Sequence, residues 1–312
     1  MARLTLQHLR GNTYLIPSPA NIGLYVRDGR AILIDSGNDD EAGRQLAKLI
    51  AVQGWSLELI VHTHSNADHI GGNAFLQKKT GCRIAATALE APFISHPPLE
   101  AAFLYGGFPL PALRNKFLMA KPSEVTDLIA EDGPILDTGL QALPLPGHYF
   151  GMIGIRTPDD VLFLGDSLFA SEIIDKYPLF FLYDIAAQLQ TLERLRTTGA
   201  ALFVPSHAAP TAELGPLIEA NSVRIAATLE RIRCCCAGGA GFEQILAELC
   251  GECAIVLDAN QYVLVGAAVR SFLAYLVAQG EIATVFGDGR LSWLTTASTQ
   301  PTAPRPSCEA LT

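Results

Sequence analysis

Apolar and polar positions along this chain divide it into stretches of distinct period. Residues 4–37 read as short strands: LTLQHL, NTYLIPS, and two apolar runs on either side of Arg27-Asp28-Gly29, a turn composition that predicts a hairpin. Residues 41–53 carry Ala42, Leu46, Leu49 and Ile50 at helical spacing and stop at Gly54, after which LELIVHTH predicts a buried strand. A helix over 73–79, a stop at Gly81 and a strand in CRIAAT follow. Residues 88–124 are rich in proline and aromatic residues and keep no period, so they read either as a lid or as a packed connecting loop, with His96 a surface histidine. Strand-like runs return in PILDTGLQALPLPGH, MIGIRTPDDVLFLGDS and ALFVPSH, and between the last two an amphipathic helix over 186–197 turns Leu189, Leu192 and Leu195 inward. Residues 210–215 read as a linker, beyond which helices over 216–236, 242–250 and 260–279 precede a second hairpin around Gly287-Asp288-Gly289.

The ends of the apolar runs carry the candidate chemistry. LIVHTHSNADHIGGN, residues 59–73, sets His62, His64, Asn66, Asp68 and His69 just after a strand and just before two glycines. Residues two apart on an extended strand end project to one side, which predicts that His64, Asn66 and Asp68 converge while His69 opens the next element. Imidazole and carboxylate are the usual ligands of zinc and iron, so the composition points to a metal site; a polar loop with satisfied histidines is the bland alternative. Three later runs end on His148, Asp166 and His207. Groups at strand ends on one rim of a sheet can meet although they are far apart in sequence.

Together, His64-x-Asn66-x-Asp68-His69 with Gly71-Gly72, then Pro146-Gly147-His148, Gly165-Asp166 and Ser206-His207, closely resemble the metallo-β-lactamase superfamily over residues 4–210, down to the strand ending Ile34-Asp35-Ser36-Gly37. The resemblance implies an α/β fold, an αββα sandwich with a metal site at one edge of its two sheets, and hydrolysis by a metal-bound hydroxide. It implies one site of Asp68, His69 and His207 and another of His64, residue 66 and His148, with Asp166 bridging both and Asp68 orienting the hydroxide or shuttling its proton. One or two zinc ions are the expected cofactor, with iron or manganese as alternatives. If the second site were empty, His64 and His148 would serve as donors to a developing oxyanion. The chain departs from the pattern at Asn66, where hydrolytic members usually have histidine; a neutral amide oxygen is the poorer zinc ligand, so the site built on His64 and His148 should bind more weakly. His62 lies about 7 Å back along the strand from His64, which suits a residue that is buried or that orients His64 or Asp166 better than a ligand. Tyr149 either offers its hydroxyl to substrate or is a half-buried aromatic, and Tyr105 and Tyr177 lie on segments expected to overhang the site.

Composition narrows the partners. The 312 residues suit one large domain or a domain with an appendage. The expected division is a catalytic domain over 1–212, a smaller, mostly helical domain over 213–295 that resembles a winged helix, and a disordered tail over 296–312. A net charge of -9 argues against nucleic acid or an anionic membrane held by charge, and from Pro216 onward six arginines, no lysine and nine acids leave -3. The start of the chain lacks the apolar core of a signal peptide and residues 261–279 are interrupted by Arg270, which predicts a cytoplasmic protein without a membrane partner. Seven cysteines, three of them adjacent, do not suit a secreted disulfide framework. Cys234, Cys235 and Cys236 with Cys250 and Cys253 read as buried thiols, a second metal or redox cluster being the alternative. The expectation is a metal-dependent hydrolase of a small ester, thioester, lactone or related carbonyl substrate, which could be a homo-oligomer. A metal-binding sensor disabled at Asn66 and a nuclease are the other readings.

Overall fold

The computed structural model describes residues 3–296, so the predicted tail lies, apart from Thr296, outside the described residues. Strands β1 (Gln7–Arg10), β2 (Thr13–Ile16), β3 (Ile22–Arg27) and β4 (Arg30–Ile34) form an antiparallel meander. The β3–β4 turn is the predicted one: Arg27 pairs with Arg30, and Asp28 and Gly29 both take positive φ, 53° and 74°. The chain then alternates through α1 (Asp40–Val52), β5 (Ser56–Val61), α2 (Ala67–Ile70), α3 (Asn73–Thr80), β6 (Arg83–Thr87), α4 (Ala91–Ser95), α5 (Pro98–Tyr105) and β7 (Asp127–Ile129). The first sheet runs β1 to β7 in order, parallel from β4 onward. Asp39 starts α1 by accepting the amides of Glu41 and Ala42, satisfying donors that the first turn leaves open.

The second sheet contains β8 (Gly133–Pro134), β9 (Gln141–Pro144), β10 (Ile153–Arg156) and β11 (Val161–Phe163). After α6 (Ser171–Lys176) and α7 (Ile185–Thr197) it gains β12 (Leu202–Val204), giving the order β12-β11-β10-β9-β8. Alternation along β4 shows why the sheets are covered on both faces. Ile32 and Ile34 point between the sheets toward Ile153, Ile155 and Phe163, whereas Ala31 and Leu33 point the other way onto Leu46 and Ile50 of α1 and Leu76 of α3. A strand apolar on both faces needs a layer on each side. The layers are therefore helix, sheet, sheet, helix, with α7 beneath the second sheet.

The C-terminal part comprises α8 (Gly215–Cys235), β13 (Ala240–Gly241), α9 (Phe242–Glu252), α10 (Ala259–Ala278), β14 (Ile282–Gly287) and β15 (Arg290–Thr295), the strands ordered β13-β15-β14. It shares one apolar core with the second sheet: Leu145, Leu162 and Leu164 lead through Leu192 and Leu195 of α7 to Ile218 and Ile225 of α8 and Phe272 and Leu273 of α10. By length and composition α10 could cross a membrane, the one such helix among the described residues, yet 44% of that window is buried here. The predicted linker is tied in place, since Thr211 and Phe203 exchange both backbone hydrogen bonds.

Residues 88–124 are more ordered than their lack of period predicts. Proline opens α4 and α5, and Ile94, Leu104, Leu113 and Leu118 are buried, while Phe108 and Phe117 stay exposed. The segment is too broken by proline for any helix to exceed 8 residues, which is why a period was not visible.

Candidate metal centre

Strand β5 ends at Val61, so residues 62–66 have already left the sheet when they reach the centre. Asn66 is the N-cap of α2, and that single turn carries Asp68 and His69. Convergence therefore comes from a loop and a helical turn, not from the strand alternation expected of His64, Asn66 and Asp68, and it divides the motif. His64 meets His148 and Asp166, while Asp68 and His69 meet His207, each trio presenting its ligand atoms within 4.8 Å of one another. Asp166 stands between the trios, with its carboxylate 3.2 Å from His69 Nε2, 3.2 Å from His207 Nε2 and 3.6 Å from His148 Nε2. Asp68 Oδ2 lies 3.8 Å from His69 Nε2 and 3.6 Å from His207 Nε2.

Partners on the far side of each imidazole decide which nitrogen is presented. His69 Nδ1 faces Asp35 Oδ2 at 2.9 Å, His148 Nδ1 the Phe181 carbonyl at 3.1 Å and His207 Nδ1 the Pro19 carbonyl at 2.9 Å. Carboxylates and carbonyls only accept, so each Nδ1 carries the proton. Thr63 donates its hydroxyl to Asp35 Oδ2 at 2.8 Å, so its oxygen accepts from His64 Nδ1 at 3.0 Å. All four rings consequently turn Nε2 to the centre, the arrangement in which outer partners orient histidine ligands. The buried atoms His64 Nε2, His69 Nε2 and Asp166 Oδ1 have no aligned hydrogen-bond partner. Orphaned nitrogen and oxygen atoms facing one another inside a protein fit a cation.

The electrostatics agree. Burial by itself lowers the His69 pKa, yet the Asp166, Asp68 and Asp35 carboxylates pull it well above the ordinary range, and His207 is raised against burial chiefly by Asp166. Asp166 is held well below the carboxylate range despite burial, by His207 and His69. Positive charge is thus favoured where the Nε2 atoms meet. His64 and His148 behave oppositely: burial, reinforced by neighbouring His69, lowers both. Neutral rings with the proton on Nδ1 cannot donate from Nε2, so the expected oxyanion-donor role of His64 and His148 does not hold.

The sequence profile of the Metallo-beta-lactamase superfamily matches residues 15–207. The chain belongs to this superfamily. Hydroxyacylglutathione hydrolase of Cereibacter sphaeroides is 34% identical over 131 residues, which cover 42% of this chain and 41% of that protein. The enzyme of the same name from Pseudomonas entomophila is 30% identical over 148 residues, 46% of this chain and 44% of that one. The chain thus spans less than half the length of these curated relatives. Two solved structures share the fold at 20% identity. A beta-lactamase domain protein from Burkholderia ambifaria has a TM-score of 0.73 and coverage of 93% of both chains, and a metallo-beta-lactamase family protein from Thermus thermophilus has 0.70 with 91% of this chain and 99% of the other covered.

Around the superfamily's ligand positions lie groups that the motif alone does not reveal. Asp35, 2% exposed and at a φ of 63°, accepts from His62, from the Thr63 amide and hydroxyl, and from His69, and its pKa is lowered by the imidazoles against burial. His62, buried and outside both trios, reaches Asp35 and Asn73; of the expected alternatives, burial fits and a hydrogen bond to His64 or Asp166 does not. Glu90 accepts from the Ser65 amide and hydroxyl and from the Gly151 amide, joining the 62–66 loop to the loop after His148. Glu100 of α5 accepts from Asn66. Only Asp35 had a signal in the sequence, as the polar end of a strand.

Tyr149 is 1% exposed and packs its ring 6.0 Å from that of His64, with its hydroxyl beside Ser65. It forms part of the buried wall beside His64. Tyr105 and Tyr177 are 40% and 42% exposed. Among the described residues no cysteine joins a metal-holding group, and burial pushes Cys235 and Cys236 up to about 12 and 11, as suits inert thiols.

Proposed function

We propose that the protein is a metal-dependent hydrolase of a small acyl substrate, with a thioester the first class to test and esters and lactones next. The observation that carries this is the set of four histidines whose Nδ1 protons are committed elsewhere, so that every Nε2 faces Asp166, and those of His69 and His207 face Asp68 as well. Asp68, His69 and His207 with Asp166 would hold one ion; His64, Asn66 and His148, again with Asp166, would hold a second. Mixed imidazole and carboxylate donors suit zinc, with iron or manganese as alternatives. When bound, such ions polarise a carbonyl oxygen and make water acidic enough to attack near neutral pH. Asp166, buried between the trios, holds them in register. Asp68, whose side chain is 43% exposed, is the acid of the centre most open to solvent, and its Oδ2 is the atom to orient the attacking water and receive its proton. The thioester preference rests on the name of the relatives from Cereibacter sphaeroides and Pseudomonas entomophila.

Metal analysis of the purified protein together with a panel of thioester, ester and lactone substrates tests the reading. Asp166→Ala should lose both bound metal and hydrolysis, and full activity in metal-free protein would refute it. Asn66 supports a second reading, a metal-binding sensor whose chemistry is disabled; there the wild type would hydrolyse nothing and Asn66→His would create activity. We read residues 213–295 as winged-helix-like from the order helix, strand, two helices and hairpin. The net charge of -3 from Pro216 onward and the packing of α10 on α5, α7 and α8 argue against a basic recognition face among the described residues, which disfavours a nuclease.

A further inference from the structure

Glu100 is an acid with little reason to be where it is: burial, with Asp68 and Glu90 nearby, pushes its carboxyl well above the usual carboxylate range. It is 5% exposed, its electrostatic neighbours include Asp68 and Glu90, and its one side-chain hydrogen bond among the described residues is the 2.8 Å contact from Asn66 Nδ2. Burying an acid beside other acids is costly unless something is gained. What Asn66 does with its other end supplies the gain. An amide is nearly symmetrical in shape, and only its oxygen can bind a metal; an untethered Asn66 would present either end. Glu100 Oε1 accepts from the donor end, Nδ2, which leaves Oδ1 2.9 Å from His148 Nε2. His148 already commits its Nδ1 proton to the Phe181 carbonyl, so Nε2 is a lone pair. Two acceptor atoms facing each other at 2.9 Å repel unless a cation lies against both. The pair is arranged as two ligands of one ion.

We infer that Glu100 is the positioning residue that makes Asn66 a ligand, holding Nδ2 so that Oδ1 completes a second metal position with His64, His148 and Asp166. The lack of histidine at position 66 is thereby offset from α5, an element outside the motif. The inference rests on the metal reading of the centre but not on any substrate.

The test is a Co²⁺ titration of the metal-stripped full chain, followed by visible absorption and chelator competition. Wild type should bind two ions. Glu100→Ala should weaken the second by about tenfold or more while leaving the first unchanged, the loss expected when an orienting partner is removed. An unchanged first ion shows that the variant is folded. Glu100→Gln, whose carbonyl still accepts from Nδ2, should stay close to wild type. An amide turned end for end would instead cap His148 Nε2 with Nδ2 and close the position; Glu100→Ala would then strengthen second-ion binding. That outcome, an unchanged second ion, or equal losses in both variants overturns the role of Glu100. A wild type that binds no ion overturns the metal reading itself, before any variant is made.

Discussion

Asp35 does at the residue scale what no ligand does alone. Its two oxygens accept hydrogen bonds from His62, Thr63 and His69, and through the Thr63 hydroxyl the same carboxylate sets the tautomer of His64. One side chain thus aims a ligand of each trio. Asp35→Asn keeps the shape but puts a donor where acceptors are needed, and metal affinity should fall about 10- to 100-fold by chelator competition while the fold persists. Glu90 gives a pH signature. Burial pushes it from 4.5 up to about 7 against its three hydrogen bonds. A raised carboxyl means that the folded state holds the extra proton, so the stability it contributes is present below pH 4.5 and is lost as the pH rises to about 7. Urea unfolding of metal-free protein should show wild type losing roughly 3 kcal/mol relative to Glu90→Gln across that interval; a gap that is constant or widens with pH would contradict the assignment. Neither role is visible in the sequence, because Asp35 and Glu90 act on residues 25 to 61 positions away.

Elements meet at the centre through backbone contacts that tolerate no side chain. Gly71 and Gly72 follow α2, and a Cβ at Gly71 would stand 2.2 Å from the Asn38 carbonyl carbon, one at Gly72 2.3 Å from the Ser36 oxygen. Both neighbours are backbone and cannot swing aside, so the loop before α1 and the turn carrying Asp68 and His69 are pressed together. Gly71→Ala should destabilise the protein by about 1–3 kcal/mol or more, as overpacking does, and weaken the first ion because the turn is displaced; thermal unfolding and metal titration measure the two effects separately. The glycine pair is legible in the sequence as a place where the backbone is freed. The reason, contact with a loop more than 30 residues earlier, is not. Likewise the helical periods of α1 and α7 and both hairpins are legible, since local spacing and turn chemistry determine them. The helices α4 and α5 are not, because proline interrupts the pattern before a period can accumulate.

Across the whole molecule, the smaller C-terminal part completes the layer beneath the second sheet. Ile218, Ile225, Phe272 and Leu273 belong to the same apolar cluster as Leu145, Leu162 and Leu164. A chain ending at residue 212 should therefore expose a large apolar face and aggregate or lose cooperative unfolding, detectable by size-exclusion chromatography and denaturant titration; a soluble, cooperatively folded fragment would show that residues 1–212 stand alone. What the sequence determined by itself is everything set by near neighbours: the strands and their turns, the long helices, and the polar residues at strand ends that identify a superfamily's metal centre. Tertiary structure decided what depends on groups remote in the chain. It divided His64 from Asp68 and His69 because the strand ends at Val61, assigned every imidazole tautomer through acceptors at Pro19, Asp35, Thr63 and Phe181, and set Glu100 behind Asn66. A motif specifies which atoms can bind an ion. Which way those atoms face is set by hydrogen-bond partners that only folding brings within 3 Å or so.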